Sequence, residues 1–150
     1  MKKVFYGFIL MVLSVMLCSC SFLSAKEPLE LAQPESSIES ILVVNLTDGV
    51  SGLSNVDGLD YAEIYDKEEF LYEFSQITFS SIPTSVPDMS AATRAIVIYY
   101  KNGDMEIITY YTQLVYNGGV LSETPDITQF EVRTKFCDES AFNNLIDKYI

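Results

Sequence analysis

The chain has 150 residues, with 9 lysines and arginines against 21 aspartates and glutamates, a formal charge of −12, and no histidine or tryptophan. Acidity on this scale repels phosphate backbones and anionic head groups, so nucleic acid is excluded as an expected partner. Without histidine the commonest general base and metal ligand is missing, which weighs against most hydrolytic and metal-dependent chemistry; no cofactor or metal is expected.

The first element is a leader. Met1, Lys2 and Lys3 precede an almost unbroken apolar run from Val4 to Leu17, which is the order of a cationic n-region and an h-region. That run falls short of the roughly 20 residues that span a bilayer. It closes on Leu17, Cys18, Ser19 and Cys20. A leucine three places before a cysteine, with a small residue directly before that cysteine, resembles the lipobox of bacterial lipoproteins. The resemblance implies cleavage before Cys20, a diacylglyceryl group on its sulfur, and attachment to the extracytoplasmic face of the cell membrane through that lipid. Cys18 does not fit as the acceptor, because Leu17 would stand where a small residue is needed. An ordinary secretory signal cut near Ala25 is the competing reading. Removing residues 1–19 discards Lys2 and Lys3 and no acid, taking the formal charge from −12 to −14. Cys137 is then the only other cysteine, and no internal disulfide can form.

Residues 20–37 read as the lipidated cysteine and a flexible tether, since Pro28, Pro34 and several glutamates interrupt any sustained period. Such a segment would hold a domain roughly 20 to 25 Å from its anchor. Residues 38–150 are sufficient for one domain. Ile41 to Leu46 is a short β-branched run of strand length. Asp48 to Gly58 is turn-rich, and Leu59 to Tyr65 is a further candidate strand. Asn45, Asp48, Asn55, Asp57, Asp60 and Glu63 gather many oxygens there, but the spacing is not that of an EF-hand and these are ordinary turn residues, so no metal is assigned. Asp66 with Glu69 forms a capping box ahead of Phe70, Leu71, Phe74 and Ile77, which predicts a helix over 67–77.

A Ser-, Thr- and Pro-rich loop over 80–93 leads to AIVIYYKNGDMEIITYY, where Asn102 and Gly103 predict a two-residue type I′ hairpin. Its register would pair Lys101 with Asp104, Tyr99 with Glu106 and Ile98 with Ile107. Ile96, Ile98, Tyr100, Met105 and Ile107 would then face the core. Val97, Tyr99, Glu106, Ile108 and Tyr110 would lie on a solvated face. Asn117 to Gly119 marks another turn, joining strands near 114–116 and 120–122. Gln129 to Phe136 alternates, with Phe130, Val132, Thr134 and Phe136 expected inward. Asp138 caps a last helix whose stripe is Ala141, Phe142, Leu145, Ile146 and Tyr149. A sheet with one wet face is antiparallel. The fold class expected is α+β, an antiparallel sheet of four to six strands with two helices packed on one face. From Ala95 onward, AIVIYYKNGDMEII and the closing CDESAFNNLIDKYI also resemble the carboxy-terminal half of small uncharacterised lipoproteins of Gram-positive bacteria. That likeness covers about the last third of the chain and implies no activity.

The functional expectation is a lipid-anchored module that binds an envelope protein or a peptide through Tyr99, Tyr110, Val97 and Ile108, together with the 80–93 loop. An envelope-associated enzyme or accessory subunit using carboxylates such as Glu106 and Glu131 is the first alternative, and a passive spacer the second. Cys137, directly before a helix and on the wet face by strand parity, is a candidate reactive thiol. A small hydrophobe turned under that helix is the competing reading, because no histidine is present to act as base.

Overall fold

A computed structural model describes residues 26–46, 60–81, 93–118 and 127–150. Strands run β1 (Glu27–Pro28), β2 (Ile38–Asn45), β3 (Tyr61–Glu63), β4 (Thr78–Phe79), β5 (Arg94–Tyr100), β6 (Met105–Ile108), β7 (Thr112–Tyr116) and β8 (Glu131–Thr134). Helix α1 spans Lys67–Ser75 and helix α2 spans Glu139–Ile146. Six strands form one antiparallel sheet in the order β3-β2-β5-β6-β7-β8, and β1 pairs with β4 in a separate two-stranded ladder. The architecture is α+β, as composition and periodicity imply.

Both helices begin where a short acid can accept a backbone hydrogen bond. The Asp66 side chain accepts from the Glu69 N–H at 3.0 Å, and Asp138 from the Ala141 N–H at 2.8 Å. Each cap satisfies one of the donors that a helix start leaves without a partner. Phe70, Leu71 and Phe74 of α1, with Phe142, Leu145 and Ile146 of α2, are buried. The helices lie side by side: Lys148 Nζ meets Glu73 at 2.8 Å, and Phe70 meets the edge of Tyr149 at 5.2 Å. Arg94, on the sheet face that also carries Ile96 and Ile98, reaches Asp147 at the end of α2 at 2.7 Å.

The hairpin at Asn102–Gly103 differs from its expected form. Type I′ needs positive φ at both central residues, whereas Gly103, at 87°, is the positive-φ residue here and no non-glycine residue adopts one among the described residues. The Gly103 N–H donates to the Tyr100 carbonyl at 2.9 Å, and the Tyr100 N–H to the Asp104 carbonyl at 3.0 Å. A three-residue loop therefore replaces the two-residue turn. Tyr99 pairs with Met105, Ile98 with Glu106 and Ile96 with Ile108. A one-residue shift exchanges the faces of a strand. It carries Glu106 and Ile108 to the face of Ile96, Ile98 and Tyr100, and puts Met105 and Ile107 with Val97 and Tyr99.

Nor is there a wet face along the middle of the sheet. Ile41, Val43, Ile96, Ile98 and Ile108 have no exposure on one side, and Val44, Ala95 and Val97 have none on the other. The alternation expected for 129–136 is also displaced: Val132, opposite Leu114 on edge strand β8, is 64% exposed, while Phe130 is buried. The Asn117–Gly119 turn and the 120–122 strand extend beyond the described residues, as do the loops over 48–58 and 82–92.

The tether expected through residue 37 is, from residue 26 onward, part of the domain. Glu27 and Pro28 pair with Phe79 and Thr78, and Leu29, Leu31 and Ala32 lie against the core. A short 3₁₀ turn, Glu35–Ser37, then leads into β2. Prolines and glutamates masked an apolar Leu-x-Leu pair that has a place to dock.

Candidate functional site

The densest polar arrangement in the described residues lies under this strap of residues 27–33. Glu106 projects from the middle of β6 and has no exposure; Gln113 on β7 and Tyr100 at the end of β5 are about equally enclosed, at 1% each. All three share one sheet face because Gln113 pairs with Ile108, and Glu106 with Ile98 and Val115. Glu106 Oε2 accepts from the Tyr100 hydroxyl at 2.6 Å and from the Ala32 N–H at 2.9 Å. Its Oε1 accepts from Gln113 Nε2 at 2.5 Å, and the same amide donates to the Glu30 carbonyl at 2.9 Å. Asp104, one turn of the hairpin away, accepts from Gln33 Nε2 and, at 2.8 Å, from Asn102 Nδ2.

Three donors converge on Glu106, so both oxygens of the buried side chain are hydrogen-bonded. Burial and then the Glu106 hydrogen bond hold the Tyr100 hydroxyl protonated well above the ordinary tyrosine range. Arg133 on β8 is the cation facing this group; it is held charged chiefly by its hydrogen bond to Glu131, with Glu106 and Glu30 adding to the field. Among the described residues no buried side-chain polar atom lacks a partner.

The residues expected to bind a partner do not come together at the surface. Val97 and Ile108 are fully buried and lie on opposite faces of the sheet, as the shifted register requires; Tyr110 is 7% exposed and Tyr99 half-buried. Tyr110 instead meets Tyr111 edge-on at 5.0 Å in the β6–β7 connection. The candidate thiol is likewise enclosed. Cys137 lies against the core, and burial, with Asp138 beside it, pushes its thiol up to about 12. A low-pKa nucleophile needs the opposite environment.

The two carboxylates of the catalytic alternative are separated in kind. Glu106 is saturated inside the domain, and Glu131 is exposed and paired with Arg133 at 2.8 Å. In the oxygen-rich loop, Asn45 Nδ2 donates to Asp60 at 2.9 Å, while Asp48, Asn55 and Asp57 lie outside the described residues. Cys20 and the leader lie outside them too.

Large exposed apolar side chains occur elsewhere. Tyr61, Tyr65 and Tyr72, at 54%, 88% and 70% exposure, are borne by one stretch running from edge strand β3 into α1. Nothing in their spacing distinguished them from core tyrosines, because the strand and helix periods change between them. Glu106, read in the sequence as a carboxylate of the catalytic alternative, was expected on a solvated face because the assumed turn shifted the register by one residue; it is buried. Comparison with protein-family models, curated proteins and solved structures gives no match.

Proposed function

We propose that the chain is a lipid-anchored extracytoplasmic domain, held to the membrane through Cys20, that acts by binding an envelope protein or peptide rather than by turning over a substrate. The supporting observation is the exposure of Tyr61, Tyr65 and Tyr72 along β3 and α1. Tyrosine supplies large contact area at small entropic cost and is enriched at interfaces. The surface differs from the one expected from the sequence, of which Val97 and Ile108 are buried on opposite faces of the sheet and Tyr110 is buried in the β6–β7 connection.

The carboxylates available to a catalytic reading support the same choice. Glu106 is hydrogen-bonded to the strap, and Glu131 to Arg133. The cavity in this part of the molecule is a shallow depression of about 440 Å³ bordered by Leu29 to Glu35 on the strap itself.

Capture from whole cells tests the reading, with the lipidated chain displayed in detergent beside a Tyr65→Ser/Tyr72→Ser variant. The expected result is a partner retained by the parent chain and lost from the variant, with the melting temperature unchanged. Equal retention by both would exclude this surface. The anchor is tested separately: Cys20→Ser should leave the membrane fraction or accumulate as precursor.

A further inference from the structure

The strap is attached differently from everything it lies on. Every residue from Lys26 to Ser37 is exposed or half-buried, whereas the sheet beneath is closed to solvent. Its ladder to the domain is the two-residue β1–β4 pairing. The remaining hold combines Leu29, Leu31 and Ala32, half-buried against the core, with polar contacts: the Ala32 N–H on Glu106, the Glu30 carbonyl on Gln113, and Gln33 on Asp104. At its far end Lys101 Nζ donates to the Ser36 carbonyl at 2.8 Å, just before β2. Segments with little buried apolar surface and few backbone hydrogen bonds open at a lower free energy than the core.

We propose that residues 27–33 are a releasable strap, clasped by Glu106, Gln113 and Asp104, whose opening exchanges a short link to the membrane for a long one. The link length rests on the Cys20 anchor; the opening does not. With the strap docked, the chain from Cys20 to Glu27 spans at most roughly 25 Å, and with it released the chain from Cys20 to Ile38 spans up to roughly 60 Å. Opening costs β4 its strand partner but leaves the ladders of the six-stranded sheet intact, since none of them involves the strap. Glu30 of the strap shares the field of Arg133 with Glu106 and Glu131, so one cation serves three carboxylates at this contact.

Glu106→Gln isolates the clasp without creating a cavity. Glu106 Oε2 serves two donors and Oε1 one. If the new amide nitrogen replaces Oε2, it confronts the Ala32 N–H, which cannot turn away. If it replaces Oε1, it confronts the Gln113 amide, which can flip only by giving up the Glu30 carbonyl. Either way the strap loses a hold.

The experiment uses a protease that cuts after glutamate, with cleavage at Glu27, Glu30 and Glu35 followed by mass spectrometry under native conditions. A docked strap cannot enter a protease site. The expected result is strap cleavage in the parent chain that leaves the remainder folded, accelerated about tenfold by Glu106→Gln and about threefold by Gln33→Ala, as loss of one hydrogen bond implies. If strap cleavage occurs only as fast as global unfolding, or if neither variant changes it, the strap is a fixed part of the domain and the proposal fails. Gln33→Ala keeps the test decisive should Glu106→Gln not fold. Because the assay is run on the anchored chain and on Cys20→Ser, loss of the anchor would remove the membrane consequence while leaving the opening measurable.

Discussion

Strand β5 and the strap are both extended segments on one sheet, and they are held in opposite ways. Ile96 to Ile98 of β5 have no exposure and are paired on both sides, with β2 and with β6. The strap has no fully buried residue; Leu29, Leu31 and Ala32 are half-buried against the core, and side chains that rise from the sheet meet its backbone. For β5 the stabilising term is complete apolar burial, non-directional and large; for the strap it is partial burial and a few directional bonds whose net value is about 1 kcal/mol each. The two segments therefore give way separately. Core strands are lost only with the fold, while a clasped strap can leave by itself.

The largest effect is expected in the core. Phe142→Ala, at a site with no exposure, should cost about 3 to 5 kcal/mol and lower the denaturant midpoint of the whole domain, strap included. A smaller effect is expected from Glu106→Leu, which leaves the Tyr100 hydroxyl, the Gln113 amide and the Ala32 N–H without their acceptor. Each buried donor so orphaned costs about 1 to 3 kcal/mol unless water reaches it. Strap release would let water in, so urea unfolding should show a loss at the low end of that range.

The alkaline limb of the stability curve sharpens the contrast further. Burial first, and then the hydrogen bond to Glu73, push the Tyr149 hydroxyl up to about 12 from an ordinary 10.0. Burial and then Glu106 raise Tyr100 in the same direction. A group whose folded pKa is raised contributes stability that is complete below its unfolded value and lost as pH rises through the folded one. Domain stability should therefore fall from about pH 10 to about pH 12, and Tyr149→Phe should flatten part of that slope in pH-dependent urea titrations. Cys137 offers a readout confined to the core side: with its thiol near 12, alkylation at pH 8 should remain slow until denaturant is added, and Glu106→Gln should not accelerate it. The smallest effect is expected at exposed Val132 on edge strand β8. Val132→Ser should change stability by less than about 0.5 kcal/mol, measured by thermal unfolding.

Much of the fold was legible because its signals are local. Asp66 and Asp138 announce their helices through capping chemistry that needs no tertiary context, and of the stripes behind them Phe70, Leu71, Phe74, Phe142, Leu145 and Ile146 are buried, Ile77 and Tyr149 half-buried, and Ala141 exposed. Ile41 to Val44 and Ala95 to Tyr100 read as strands from β-branched and aromatic content alone. The site was not legible, because it depends on one register. Asn102–Gly103 satisfies a two-residue turn in sequence, but the Asn102 side chain accepts from the Asp104 N–H at 3.1 Å and leaves the positive φ to Gly103. That single added loop residue moved Glu106 inward, Ile108 to the opposite side from Val97, and with them the whole notion of an open aromatic face. The alternation rule failed at Val132 for a related reason, since an edge strand has a neighbour on one side only. The strap was hidden by composition: Pro28, Pro34 and three glutamates resemble linker, and the residues that hold it, Glu106 and Gln113, lie more than seventy positions away.

The most direct measurement is native-state hydrogen exchange of the unaltered chain, comparing the Ala32 amide on Glu106 with the amides of β5. A strap that opens on its own predicts that Ala32 exchanges at least about tenfold faster than β5 and with a weaker dependence on denaturant, because its opening exposes little surface. Equal rates and equal denaturant dependence for the two would contradict it, and would make the strap as much a part of the core as the sheet it crosses.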